Sequence, residues 1–475
     1  MKRTKCLILH YIIYSNSRAK IVLFLHTAKK RGRKKTQCIR NAYLCSRKKI
    51  QEHKDMRTKL TILFLAASFL PAARIMAQET NYDEDKVGAY VLPDALTTCD
   101  GRKVTNRKQW EKLRRPEILK MFQENEYGSM RELRNKKHKD RIGVSYEVVE
   151  ESDDALGGKA IRRQVEITFS AGDLTRKMLV LLYMPKGLRR CPVFVSPNFQ
   201  GNATTTTDPA VIESQYSTYE RGHQTSRWSY DRIIDSGYAV ATFHYFDVYF
   251  DKDGKLDESI YPLFGINSDN DLTETTGKAV AAWAWGCSRV LDYLFTLKNI
   301  DKKRAIVMGH SRLGKAALWC GAQDKRFAMV VSNNSGCSGA ALSRRNYGET
   351  VARINSAFPW WFCNKYHSYG SDVSALPMDQ HELLALIAPR LVYVASALED
   401  RWADPRGEFL SLREASKIYA LYGMETLEGS TFPAVGEPLW KGNCGYHIRE
   451  GVHDVTDYDW QKYIEFAESH WKHKH

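Results

Sequence analysis

The segment with the clearest chemical content is Ala305-Ile-Val-Met-Gly309-His310-Ser311-Arg312-Leu313-Gly314-Lys315. Its apolar run reads as a buried strand, and a helical pattern begins directly after the serine. A serine on so sharp a strand-to-helix turn projects its hydroxyl from the sheet edge. The backbone N–H of Arg312 then faces the same space from a helix N-terminus, where it can stabilise an oxyanion. The usual form of such a turn is G-x-S-x-G. Here Leu313 takes the place of the second glycine and Gly314 follows one residue later. Taken alone, the segment is also compatible with a serine that only caps a helix.

A nucleophilic serine needs a base and a carboxylate to hold that base. In an alternating α/β sheet they follow in the order Ser…Asp/Glu…His. The strand-like run Leu391–Ser396 is followed by Glu399, Asp400, Trp402 and Asp404, so a carboxylate lies on the loop after a late strand. Asp400 is assigned as the acid, with Glu399 and Asp404 as competitors. His453 precedes the last helical segment and is assigned as the base, with His447 as its rival. In this reading His453 takes the Ser311 proton and Asp400 holds the imidazolium. Neither a CxxC nor an HxxxH pair occurs with zinc-like spacing, so no metal and no cofactor is expected.

The elements that must position these groups follow from periodicity. The segment 105–140 reads as helical, with Trp110, Leu113, Ile118 and Met121 on one apolar face. β-like runs follow at 144–149, 161–169 and 177–184, the second alternating. Short apolar runs at 193–196, 238–243, 305–308, 329–332 and 391–395 read as buried parallel strands. Helical patterns lie between them at 279–297, 315–321 and 381–387. An antiparallel lead-in followed by alternating strands and helices is the α/β-hydrolase arrangement, a mostly parallel central sheet flanked by helices.

The chain has 475 residues and a formal charge of +16, which invites a nucleic-acid reading. The charge is not where that reading needs it. Residues 1–55 hold 16 Lys/Arg against 2 Asp/Glu, and 56–77 hold 3 Lys/Arg and no acid. The remaining 398 residues carry 52 basic and 53 acidic side chains, so the body is close to neutral and no nucleic-acid partner is expected. Met56 opens a basic n-region (Arg57, Lys59), an uncharged stretch from Leu60 to Ala73, and small residues before Gln78. That is the grammar of a secretory signal peptide over 56–77, too short to span a membrane. Residues 1–55 then read as an upstream extension of the gene model, with a basic arm as the alternative. Residues 78–475 read as one exported catalytic domain, periplasmic or extracellular. Seven cysteines follow Ala77: Cys99, Cys191, Cys287, Cys320, Cys337, Cys363 and Cys444. In an exported protein, buried thiols and one or two disulfides are both compatible with that count.

Gly309-His-Ser-Arg-Leu-Gly-Lys315 resembles the G-C-S-R-x-G-K signature of the glucuronoyl esterases, carbohydrate esterase family 15. Ser332-Asn-Asn-Ser-Gly-Cys337, Gly348-Glu-Thr350, Phe358-Pro-Trp-Trp-Phe362, Leu376-Pro-Met-Asp-Gln-His381 and Trp402-Ala-Asp-Pro-Arg-Gly407 are similar to its bacterial branch. The resemblance runs from about Ile161 to Trp460. It implies cleavage, without a metal, of the ester between (4-O-methyl-)glucuronic acid on xylan and a lignin-type alcohol. It implies Ser311 as nucleophile, His453 as base and Arg312 as oxyanion support through guanidinium and N–H. It also implies Lys315, Glu349 and Trp402 as ligands of the sugar. Bare surface or core roles for these three are the alternatives. Arg345, Trp360 and Trp361 also lie nearby in sequence, without an assigned role.

Two departures from the family pattern matter. Fungal members carry a catalytic Glu in P-x-E-S-G after the next strand, whereas this chain reads Asn333-Asn334-Ser335 there, which favours Asp400. His310 replaces a cysteine that in fungal members ties the nucleophile turn to the histidine loop, which leaves Cys444 without that partner. The long aromatic-rich connections 199–230 and 247–275 are expected to shape the leaving-group side. Acetyl-xylan or other small-ester hydrolysis, and a silent carbohydrate-binding role, remain the alternative functions.

Overall fold

The apolar runs fold into ten strands: β1 (Gly143–Asp154), β2 (Ala160–Ala171), β3 (Leu174–Pro185), β4 (Cys191–Asn198), β5 (Ala239–His244), β6 (Ile300–His310), β7 (Phe327–Asn333), β8 (Leu391–Ala397), β9 (Leu439–Lys441) and β10 (Cys444–Arg449). The structure is a computed structural model and describes residues 80–130 and 142–471. The expected leader, the segment before it and part of the early helical region lie outside the described residues. All ten strands form one sheet in the order β1-β2-β3-β5-β4-β6-β7-β8-β10-β9. The lead-in pairs are antiparallel. From β5 through β4, β6, β7 and β8 to β10 every pair is parallel. This is the α/β-hydrolase sheet expected from the sequence.

Pleating divides the core into two layers. On β6, Ala305 and Val307 face the layer that contains Trp283, Leu291, Leu313 and Trp319. Those residues come from α3 (Ala279–Leu294) and α4 (Arg312–Gln323). Ile306 and Met308 face the opposite layer with Ile233, Trp460, Tyr463 and Phe466. These belong to α2 (Tyr230–Asp235) and α8 (Asp457–His470). Both faces of the parallel strands are thus covered, which is why their sequences read as unbroken apolar runs. The strand order reverses around β4, between β5 and β6. Such a reversal opens a crevice beyond the carboxyl ends of the strands, where ligands bind in open α/β sheets.

One sequence expectation changes. Helix α1 (Arg115–Asn125) is preceded by a π-helical turn, Trp110–Arg114. Trp110 and Ile118 are fully buried, but Leu113 is 37% exposed, because a π turn inserts an extra residue and rotates the face away. All seven cysteines described are free thiols, the first of the two arrangements that the count allowed. Cys444 is free, in line with the loss of a cysteine at the His310 position. His310 lies opposite Asn333, then Ala395, then His447 across the sheet, whereas Cys444 pairs with Val392 three residues earlier. Strand β10 itself has no signature in the sequence, since its buried stretch Cys444-Gly-Tyr-His-Ile-Arg449 is half polar.

Helix α7 (Pro405–Ser416) carries Glu408, which is fully buried. It accepts the N–H groups of Ser335 (2.8 Å) and Gly336 (3.0 Å) and the Ser396 hydroxyl (2.6 Å). Burial pushes its carboxyl up to about 8, and Glu126, buried beside Gln380, is pushed up to about 8 as well. An acid whose folded value is raised supports the fold fully below its unfolded value of 4.5 and loses that support as pH rises through about 8. Glu408 therefore contributes a loss of up to about 1.4 kcal/mol per pH unit in that window. Urea midpoints between about pH 5 and 8 should fall with pH in the wild type and fall less steeply in Glu408→Gln.

Candidate active site

Ser311 joins β6 to α4 with φ 56° and ψ −130°, a left-handed backbone that a non-glycine residue adopts only under constraint. The constraint is visible on both sides. Ser311 N–H donates to Asn333 O (2.9 Å), and Ser311 O accepts from Gly314 N–H (2.8 Å) and Lys315 N–H (3.2 Å). A Cβ on Gly309 would lie 2.0 Å from the Leu313 carbonyl, so the strand can approach the helix only without a side chain there. A Cβ on Gly314 would lie 2.9 Å from Ser335 Cβ. This explains the shifted glycine: Leu313 is buried in the core, and the close approach to the end of β7 falls one residue later, at Gly314. The Arg312 amide opens the helix, where it has no intrahelical acceptor.

Asp400 is buried on the loop after β8, and its Oδ2 lies 2.5 Å from His453 Nδ1. The carboxylate can only accept, so Nδ1 carries the proton and Nε2 is left basic. The competitors are used elsewhere. Glu399 is exposed. Asp404 pairs with Arg345 through both oxygens (2.7 and 3.2 Å) and caps α7 at Gly407 N–H (2.9 Å). Arg345 also reaches Glu84 (2.7 Å), so its role is to fasten the N-terminal segment and the Asp404 turn. His447 is fully buried between Asp459 (2.9 Å) and Tyr393 (3.0 Å) and cannot face substrate.

The His453 loop is held from several sides. Arg449 donates to the carbonyls of Glu450 (2.8 Å) and Asp454 (2.5 Å). Arg227 pairs with the Asp454 side chain (2.5 Å), and Asn334 Nδ2 donates to Asp454 O (3.2 Å). Asn334 thus occupies the fungal acid position as a neutral strut, at φ 46°. His310 stands 4.4 Å from His453, ring to ring, and bonds Asn333 (2.7 Å). Burial first, then the neighbouring His453 and Arg227, hold His310 well below the ordinary imidazole range. It stays neutral and places no second charge beside the base. No hydrogen bond joins Ser311 to His453 among the described residues, but both line the same two cavities. That bond is often long without substrate.

One cavity, of about 280 Å³, brings Ser311, Arg312 and His453 together with Lys315, Glu349, Asn334 and Trp402. The sequence-assigned residues therefore converge. Lys315 differs from the expectation of a free donor: it is buried, and its ammonium is taken up by Ser335 O (2.6 Å), Cys337 O (2.5 Å) and Glu349 Oε2 (2.8 Å). The lysine fixes Glu349, which lines the cavity. Trp402 is half-buried at the wall, with its carbonyl accepting from Glu349 N–H (2.9 Å).

The largest feature that the sequence did not reveal is Asp251. Its side chain, 4% exposed, pairs with the Arg312 guanidinium. It also accepts from the indoles of Trp360 (2.9 Å) and Trp361 (2.6 Å) and from Tyr245 (3.2 Å). Arg312 lies 4.8 Å over the Trp361 ring and 5.5 Å over Phe358. Arg312 is thus held over an aromatic floor at the mouth of the cavity. Among the described residues no cluster of three or more His, Cys, Asp or Glu is placed to hold a metal ion.

This geometry can perform acyl transfer, and the relatives agree. A sequence model described as "Glucuronyl esterase, fungi" matches residues 196–423. The carbohydrate esterase MZ0003, from an unknown prokaryotic organism, is 40% identical over 437 residues, 87% of this chain and 98% of its own length. The chain belongs to carbohydrate esterase family 15. A glucuronoyl esterase structure from Solibacter usitatus superposes with a TM-score of 0.76 at 41% identity, over 82% of this chain and 100% of that one. A 4-O-methyl-glucuronoyl methylesterase of Wolfiporia cocos is 26% identical over 78% of this chain and 82% of its own length. The protein is a carboxylic ester hydrolase.

The assignment of the acid makes a direct prediction. Asp400→Asn should lower kcat on a simple ester by about 10⁴-fold, because the wrong imidazole tautomer is then held. Glu399→Gln should leave kcat near wild type. Asp404→Asn should act on stability, at about 3 kcal/mol or more in urea unfolding, because it leaves Arg345 buried and underpaired.

Proposed function

We propose that the protein is an exported serine esterase that hydrolyses esters of (4-O-methyl-)glucuronic acid between xylan and lignin-type alcohols. The observation that carries this reading is the shared cavity, whose wall includes Glu349 and Trp402 together with the nucleophile and base. A uronate ester presents its hydroxylated ring on the acyl side of the scissile carbonyl. A carboxylate oxygen for those hydroxyls and an indole for the ring are therefore needed within reach of Ser311, on the acyl side. An acetyl group would leave that wall unused.

In the proposed reaction Ser311 Oγ attacks the ester carbonyl as its proton passes to His453 Nε2. Asp400 stabilises the imidazolium through Nδ1–H. The oxyanion is held by the Arg312 N–H and by its guanidinium, which Asp251 and Trp361 keep at the cavity mouth. Collapse of the tetrahedral species breaks the bond to the alcohol oxygen, which takes the proton from His453. Water then attacks the Ser311 glucuronoyl ester, its proton going to His453, and collapse returns a proton to Ser311 and releases the uronate. The alcohol side opens into a second cavity of about 460 Å³, lined by Phe199, Tyr216, Tyr219, Tyr245 and Phe246 along with Ser311 and His453. Such walls suit an aromatic alcohol. The leader at 56–77 supports export, and the near-neutral body supports a polysaccharide rather than a polyanion as partner.

The test compares benzyl glucuronate with acetylated xylan, using the full-length protein beside Ser311→Ala. Uronate cleavage that disappears in the variant, with little acetate release, is the expected result. Acetate release without uronate cleavage would overturn the sugar assignment and leave the acyl-transfer chemistry standing. Glu349→Gln should lower kcat/KM on the uronate ester by about 10- to 100-fold, the loss of a charged hydrogen bond to a sugar hydroxyl.

A further inference from the structure

The segment Asn81–Glu84 is bonded to two loops of the sugar cavity, and the reaction above does not use it. Asn81 O accepts the Gly348 N–H (2.8 Å). Tyr82 O accepts the Tyr347 hydroxyl (3.2 Å), and the Tyr82 ring meets the Tyr347 ring edge to face at 6.2 Å. Glu84 pairs with the buried Arg345 (2.7 Å) and lies 3.9 Å from Arg406. Arg401 lies 5.2 Å over the Tyr82 ring and donates to the Tyr347 hydroxyl (3.2 Å).

These contacts bracket the two residues assigned to the sugar ring. Gly348 donates to the N-terminal segment, and the next amide, that of Glu349, donates to Trp402 O (2.9 Å). The backbone that carries Glu349 is therefore bonded to both the segment and the Trp402 turn. Gly348 takes φ 62°, and a Cβ there would lie 2.4 Å from Trp402 O, so only glycine allows this approach. Upstream, the Ser343 N–H is anchored on Asp379 (2.8 Å). Downstream, Thr350 Oγ1 accepts the Arg353 N–H (3.2 Å) and opens α5 (Val351–Ala357). Lys315 holds the Glu349 carboxylate, but an ammonium is a compact point charge and does not set the direction from which that carboxylate is carried. Asp400 is held differently, within its own turn. Its N–H donates to Ala397 O (3.1 Å), and its carbonyl accepts the Ala403 N–H (3.1 Å).

We infer that Asn81–Glu84 is a positioning strap for Glu349 and Trp402, so that this segment sets the affinity for the sugar ring. Neither Tyr82 nor Glu84 lines the cavity, and both act through the loops they fasten. The inference rests on the uronate reading above.

The test uses the full-length protein and two esters: benzyl glucuronate, which carries the ring, and 4-nitrophenyl acetate, which lacks it. The double variant Tyr82→Ala, Glu84→Ala should raise KM for benzyl glucuronate about tenfold, with kcat within about twofold of wild type. Its kcat/KM on the acetate should also stay within about twofold. Tyr82→Phe, which keeps the ring, should match wild type. Glu84→Gln, a milder change, should raise KM about threefold and carries the test if melting curves show that the double variant does not fold. Wild-type KM for benzyl glucuronate in the folded double variant, or in Glu84→Gln where that variant is the one read, would overturn the inference. So would equal losses on both esters, which mark a general structural role. A wild-type protein silent on benzyl glucuronate would instead overturn the uronate reading, and the inference with it.

Discussion

The structure depends on one strained residue. Ser311 can hold φ 56° only because β6 and α4 meet without side chains at Gly309 and Gly314, and because its amide is anchored on Asn333 at the end of β7. That conformation lifts the hydroxyl clear of the sheet and leaves the Arg312 amide facing the same space. It costs backbone energy of order 1–3 kcal/mol, which the buried strands on either side offset. Every other part of the site is arranged relative to this turn. Asp400 reaches His453 from the end of β8, His453 is held from β10 through Arg449, and Asp251 fastens Arg312 from the β5 side.

Charge is managed differently on the two sides of the nucleophile. In the cavity that holds Glu349 the lysine ammonium is engaged by two carbonyls and by that carboxylate. A buried charge pair of this kind gains little net stability, but it fixes an acceptor in one place. The second cavity has aromatic walls from Phe199, Tyr216, Tyr219, Tyr245 and Phe246, and the Arg312 guanidinium that lines both cavities is held by Asp251, which also bonds Trp360 and Trp361. The neutral His310 beside His453 keeps a second positive charge out of the site.

The sequence was most informative where a residue's neighbours in space are also its neighbours in the chain. The strands of the parallel sheet, the elbow at Ser311 and the loop position of Asp400 all belong to that class. Leu113 was misplaced because a single π turn breaks the helical period. Asp251 and Glu408 left no trace, since each acts through partners brought together by tertiary folding, for Asp251 from 61 residues away at Arg312 and 109 at Trp360. Buried polar contacts have no periodicity. Lys315 was found in sequence, but only the structure shows that its donors are already used, because two of its three acceptors are backbone carbonyls of a left-handed turn.

The central claim is that chemistry passes through a covalent ester on Ser311. It is tested most directly by rapid acid quench of the Asp400→Asn protein during turnover of a glucuronate ester, followed by peptide mass mapping. A glucuronoyl mass increment confined to the peptide that contains Ser311, formed and lost at rates consistent with turnover, is the predicted result. Continued turnover with no adduct on that peptide, or with the adduct on another residue, would contradict the account.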